Sequence, residues 1–249
     1  MLGLLAFFAD AQQESRELLE ESIAEARAAG DDWCLADALG TIGSIYPLMG
    51  ELQRGRSAGE EGLALARSRR DLQGIRMSLF GIALTARRAG ESAAATTAAE
   101  EGLEISRQLG DAFFASYFLW ILASVTLEEG TVDHAQEHAE EALQLARDVT
   151  APLLLVCALE ARASVARAQR QDDLARTLLT EAERVAAHGA VPGSYVSEAL
   201  RALGRLDADE GDHASATRRL KKAIELARRV LDPWAERRAA DELERLTNA

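Results

Sequence analysis

Written in rows of forty, this amino-acid sequence aligns with itself. Glu20-Glu21, Glu60-Glu61, Glu100-Glu101 and Glu140-Glu141 stand in one register, and so do Arg27, Arg67, Arg107 and Arg147. Ile23, Leu63, Leu103 and Leu143 form a third column, Asp31, Asp71 and Asp111 a fourth, Gly50, Gly90 and Gly130 a fifth. Small residues recur at Gly3, Gly43, Ala83, Ala123 and Ala163. One residue is inserted near 191, after which the pattern resumes with Gly204, Gly211, Ala223, Ile224, Arg228 and Asp232. A fixed period of this length dictates a solenoid, in which each unit covers its apolar faces by stacking on its neighbours.

Each unit reads as two helices. Ala, Leu, Glu and Arg dominate, and all four favour helix. Four prolines in 249 residues leave room for long helices, and β-branched residues nowhere alternate over a strand's length. In residues 71–110, Asp71 suits an N-cap, Leu79, Ile82, Ala83 and Ala86 keep helical spacing, and Gly90 supplies the turn. A second helix follows from about Ser92 to Gln108, ended by Gly110, with Arg107 in its last turn where a cation favours the helix dipole. Gly43, Ala83, Ala123, Ala163 and Gly204 fall in mid-helix, where small residues permit close approach, and Ala95, Ala135, Ala175 and Ala216 form the other half of that contact. Pro47 lies inside a first helix and is expected to kink it.

This order of small residue, turn glycine and early alanine resembles the tetratricopeptide repeat. Its clearest forms are Ile82-Ala83, Gly90, Ala95, Gly102-Leu103, and Leu122-Ala123, Gly130, Ala135, Ala142-Leu143. The repeat is 40 residues rather than the usual ~34, which lengthens both helices. The fourth unit departs most, with Arg162, Arg170 and Glu183 where others carry Leu, Gly and Leu. The resemblance implies an all-α, right-handed solenoid of antiparallel helix pairs over 1–249. A partial unit at 1–30 precedes full units at 31–70, 71–110, 111–150, 151–191 and 192–231. A lone, solvating cap helix occupies 232–249, with Asp232 as its N-cap and Pro233 at its first position. The long, Ala/Arg/Glu-rich repeats are also similar to the helical region of large bacterial transcriptional regulators of the LuxR type. No phosphate-binding GxxxxGK[ST] loop accompanies them, so only a sensor or scaffold role is implied.

Chemistry is sparse. A net charge of −13 repels the phosphate backbone and anionic membrane surfaces. Cys34 and Cys157, far apart in apolar helical context, read as two buried thiols of a reducing compartment. The apolar start Met1–Ala9 has no basic leader and is stopped by Asp10, so the chain is expected in the cytoplasm. His134 and His138 have zinc-ligand spacing, but Ala135 takes the packing position and turns both toward solvent. The Glu pairs recur in every good unit and read as a solvated face rather than a catalytic pair. No nucleophile–base arrangement is found. The expectation is a non-enzymatic chain without metal or cofactor.

In tetratricopeptide folds the first helices line a concave groove. Carried over by register, that face comprises Asp37, Gly40 and Ser44; Met77, Phe80, Leu84, Arg87 and Arg88; Tyr117, Trp120 and Ser124; Glu160, Ser164 and Arg167; and Glu198, Arg201 and Arg205. The groove is then apolar and aromatic at its middle and arginine-rich toward the C-terminal half. The expected binding set is Met77, Phe80, Leu84, Arg87, Tyr117, Trp120, Ser124, Glu160, Arg167, Arg201 and Arg205, taking a protein or peptide whose carboxylates meet the arginines. On this view Trp120→Ala weakens binding by ~2 kcal/mol and leaves the fold intact. The alternative, second to the groove on sequence, has Phe80 and Trp120 filling space between helices and the arginines pairing with Glu160 and Glu198. A small-molecule effector domain of a regulator, or a structural spacer, are the other functional readings. The edge of the first unit leaves room for a second copy of the chain.

Overall fold

The computed structural model describes residues 11–189 and 191–248. The apolar segment 1–10, with Gly3 of the small-residue column, lies outside them. Twelve α-helices and no strand are found among the described residues. Helix α1 (Gln12–Ala29) is the second helix of the partial unit. The full units follow as pairs: α2 (Asp32–Ile45) and α3 (Leu52–Ser68), α4 (Leu72–Ala89) and α5 (Ser92–Gln108), α6 (Ala112–Glu128) and α7 (Val132–Val149), α8 (Pro152–Ala168) and α9 (Asp172–His188), α10 (Gly193–Asp209) and α11 (His213–Arg229). Helix α12 (Pro233–Asn248) ends the chain as described.

Local rules explain the segmentation. Asp31, Asp71, Asp111 and Asp212 each accept a backbone N–H of the first turn of the helix they precede, which satisfies donors that a helix cannot satisfy itself. Gly30, Gly50, Gly90, Gly110, Gly130 and Gly211 take positive φ at helix ends. In the aberrant fourth unit Arg170 adopts φ 60° in place of glycine. Pro47 does not kink a continuous helix: α2 stops at Ile45 and the chain tightens into a 3-10 turn, Tyr46–Met49. Proline removes the N–H that the α-helical ladder would use next.

Stacking follows the small residues. A Cβ on Gly43 would lie 3.3 Å from the Gly59 nitrogen, and one on Gly204 would lie 3.3 Å from the Ala216 carbonyl oxygen. The two helices of a unit therefore meet backbone to backbone where the sequence is smallest. Gly102 receives the ring tip of Phe118, which is fully buried with Leu119 and Ile121.

The Arg and Glu columns pair with each other across unit boundaries. Arg27 reaches Glu61 at 2.6 Å, Arg67 reaches Glu101 at 2.6 Å, Arg107 reaches Glu141 at 2.7 Å and Arg147 reaches Glu181 at 3.5 Å, always between neighbouring second helices. These side chains are about half exposed, so each pair contributes at most about 1 kcal/mol, and the series sets register more than stability. The solvated face expected of the glutamates is thus a ladder.

The solenoid also closes on itself. The start of α12 docks on the turn after Met49, where a Cβ on Gly50 would lie 2.6 Å from Pro233 Cγ. Arg88, at the end of α4, grips Asp232 through two hydrogen bonds of 2.7 and 2.9 Å, and both side chains are buried. Asp232 also accepts the Ala235 N–H at 3.0 Å and so caps α12. The second full unit and helix α12 are thereby joined directly. Among the described residues no helix is long and apolar enough to cross a membrane.

Candidate functional site

The first helices and α12 face the interior of this closed turn, and two recesses open there. One is polar, about 340 Å³, and lined by Arg87, Ser124, Glu128, Glu160, Ser164, Arg167, Arg201, Arg205 and Arg238, with Ala123, Ala161 and Ala202 forming its small-residue walls. The other is apolar, about 140 Å³, between Ser44, Leu48, Met77, Phe80, Phe113, Phe114, Tyr117 and Tyr195. A small annex of about 20 Å³ lies between them, bounded by Arg87, Trp120, Cys157, Glu160, Ser194 and Trp234.

The eleven residues expected from sequence divide accordingly. Arg87, Ser124, Glu160, Arg167, Arg201 and Arg205 share the polar cavity. Met77, Phe80 and Tyr117 line the apolar recess, Met77 half-buried and the two rings nearly covered. Leu84 reaches neither and is core, 1% exposed. Trp120 is buried in the annex. Its ring lies 6.2 Å from Tyr117 and 5.8 Å from Tyr195, and Phe80 stands 4.8 Å from Tyr117. The expectation of an open aromatic groove is corrected here: most of these rings pack on one another across the interior, because α6 and α10 approach closely enough for Tyr117 and Tyr195 to meet at 6.4 Å. Burial pushes both tyrosine hydroxyls well above their ordinary pKa.

The arginines fall into two groups. Arg167 pairs with Asp209, Arg201 with Glu198 and Glu242, and Arg238 with Glu198 at 2.7 Å. Glu198 is largely enclosed among them, its side chain 14% exposed; burial opposes its charge, yet Arg201 and Arg238 hold its carboxyl below the usual range. Arg87 and Arg205 have no hydrogen bond or ion pair among the described residues. Arg87 is instead held over two indoles, 4.4 Å from the Trp120 ring and 5.5 Å from that of Trp234. Burial pulls its pKa down, with the Glu160 charge opposing that fall. Glu160 accepts the Ser164 hydroxyl at 3.1 Å and makes no hydrogen bond to an arginine. The pairing foreseen for Glu198 is present, and that for Glu160 is not.

Sequence reasoning missed Trp234 and Arg238, because 232–249 read as a solvating cap. The helix does expose Arg237, Asp241, Glu244 and Arg245. Its other face carries Trp234, Arg238 and Glu242 inward, a stripe at four-residue spacing that could have been seen. Cys157 is buried as expected, and its thiol pKa is pushed up by burial. Cys34 is exposed, contrary to expectation, since it lies in the first turn of α2 rather than along its packed face. His134 is exposed and His138 half-buried, and the described residues hold no group of three or more His, Cys, Asp or Glu able to ligate a metal.

The family model described as anaphase-promoting complex subunit 5 matches residues 1–45, 65–124, 112–169 and 169–233. Among solved structures, the chain is similar to BtubC (BKLC) from P. vanneervenii, at 18% identity and a TM-score of 0.63, over 87% of this chain and 91% of that one. It is also similar to a putative kinesin light chain from Podosopora anserina with nearly identical TPR-like repeats, at 16% identity and a TM-score of 0.53, over 76% and 93% of the two chains. No curated protein matches the sequence.

Proposed function

The chain belongs to the TPR-like helical-repeat family of the anaphase-promoting complex subunit 5 model, and from that membership we propose that it is a non-catalytic interaction scaffold holding an acidic segment of another protein on its concave face. The observation that carries this reading is the pair of guanidiniums, Arg87 and Arg205, that face one cavity without a partner of their own. A guanidinium stays charged at any ordinary pH and matches a carboxylate in geometry. The apolar recess at Met77, Phe113 and Phe114 offers an anchor for a side chain of the same segment. A bacterial regulator, with this chain as its sensor or interaction region, is the setting suggested by the form of the repeats.

The test is fluorescence polarisation with labelled acidic peptides carrying one aromatic residue, against wild type and Arg205→Glu. Arg205 is exposed, so the substitution leaves packing alone. Binding that weakens with salt and is lost in the variant supports the reading; peptides that bind both proteins equally, or neither, exclude it. Small-molecule sensing is the second reading, favoured by the partial enclosure of the polar cavity by α12.

A further inference from the structure

The polar cavity has a feature that a peptide groove does not require: its wall is completed by a helix from the far end of the chain. Arg87 comes from α4, Arg205 from α10 and Arg238 from α12. Around them, the acidic groups Glu198, Glu242 and Asp209 are already engaged by Arg201, Arg238 and Arg167. Glu128 and Glu160 also line the space, Glu160 turned to the Ser164 hydroxyl. Two guanidiniums are left over: Arg87, whose Nε is buried without an acceptor, and Arg205, which is unpaired. In the adjoining annex the Trp120 indole N–H and the Ser194 hydroxyl are likewise buried and meet no acceptor, while the unmatched oxygens are Glu242 Oε2 and the exposed Glu128 carboxylate. Buried donors without acceptors are costly, and a charged one most of all.

We propose that this cavity binds a compact ligand bearing at least two anionic groups, carboxylate or phosphate, which bridges Arg87 and Arg205 and ties α12 to the second and fifth units. Its volume is near the lower end of small-molecule sites, so the ligand is of the size of a tricarboxylate or a diphosphate rather than a polymer. One anionic group is placed on Arg87, whose guanidinium is held in a fixed orientation by the faces of Trp120 and Trp234. The other falls to Arg205 at the mouth. Occupancy holds Trp234 and Arg238 in place and so keeps the superhelical turn closed. The inference rests on the concave face being a ligand surface, but not on that ligand being a protein.

The experiment is calorimetric titration at constant ionic strength with citrate and with pyrophosphate, and with glycerol as the neutral comparison. Wild type, Arg87→Gln, Arg205→Gln and, as a control on the outer ladder, Arg27→Gln are compared, together with the rate of tryptic cleavage within α12. The expected result is one saturable site in wild type and Arg27→Gln, with Kd raised at least about tenfold in the other two variants and α12 cleavage slowed by the bound anion. Citrate binding alone assigns carboxylates, pyrophosphate alone assigns phosphates, and both support the site. No saturable heat from either anion, or equal affinity in Arg205→Gln, overturns it even if Arg87→Gln misfolds. Acidic peptides that bind where small anions do not would leave the scaffold reading standing and remove this one; the reverse result would do the opposite.

Discussion

Arg88 and Asp232, separated by 144 positions in the chain, share a bidentate ion pair from which water is excluded. Removing one partner strands the other charge in the interior, while replacing both with apolar groups does not. Asp232→Asn keeps an oxygen to cap α12 and loses the charge. It is expected to cost about 3–5 kcal/mol in urea denaturation, whereas Arg88→Met with Asp232→Leu lands within about 2 kcal/mol of wild type, the lost cap included. Equal losses in both would show that the ion pair is itself net stabilising and that stranding one charge adds nothing.

Gly50 and Gly90 separate the dihedral cost of a turn from the docking of α12. Both have φ near +75°, but a Cβ on Gly90 has nothing within 4 Å while one on Gly50 strikes Pro233. Gly90→Ala is expected to cost about 1–2 kcal/mol for the left-handed conformation. Gly50→Ala should cost measurably more and expose α12 to proteolysis; matching losses would mean that the docking is too soft to resist a methyl group.

Stability should fall in acid through Glu198. Its folded pKa is depressed by Arg201 and Arg238, so its contribution is present above the unfolded value of about 4.5 and disappears as pH drops through the lower, folded value. Thermal melts between pH 7 and pH 3 should show this loss, and Glu198→Gln should start lower at pH 7 and lose less on acidification. A parallel pH profile for the variant would place the acid sensitivity elsewhere.

Trp120→Ala is expected to destabilise by about 3–5 kcal/mol, the range for truncating a buried aromatic, because Trp120 is 5% exposed. A loss of binding in that variant would therefore report on folding. Arg67→Ala or Glu101→Ala, by contrast, should each cost under about 1 kcal/mol and less still at high salt, measured in the same denaturation assay.

The period made the helix pairs legible, because stacking of like on like repeats the same demands in each unit: a cap at Asp71, a small residue at Ala83, a turn at Gly90. It revealed the Arg and Glu columns but not their union, since Arg67 and Glu101 lie 34 residues apart, off the period. Register placed Arg87, Arg167, Arg201 and Arg205 on one face, but not Arg238, which lies beyond the repeats on α12. The filling of the aromatic side did not follow from register, because it needs α6 and α10, two units apart, to touch. Nor did Arg88 with Asp232, a contact made once and therefore invisible to any repeat. Cys34 failed for a plainer reason: apolar neighbours along a helix say little about its first turn.

Linear repeat arrays unfold like a zipper, from whichever end is weakest, because each unit answers only to its neighbours. A bond between the second unit and the last helix removes the free end from that picture. Amide exchange in α12 should then be coupled to exchange in α4, and a destabilising change in either should raise the rate in both. The chain would behave less as a row of units than as a single cooperative hoop, whose opening at one seam is the step that any deeper unfolding must first take.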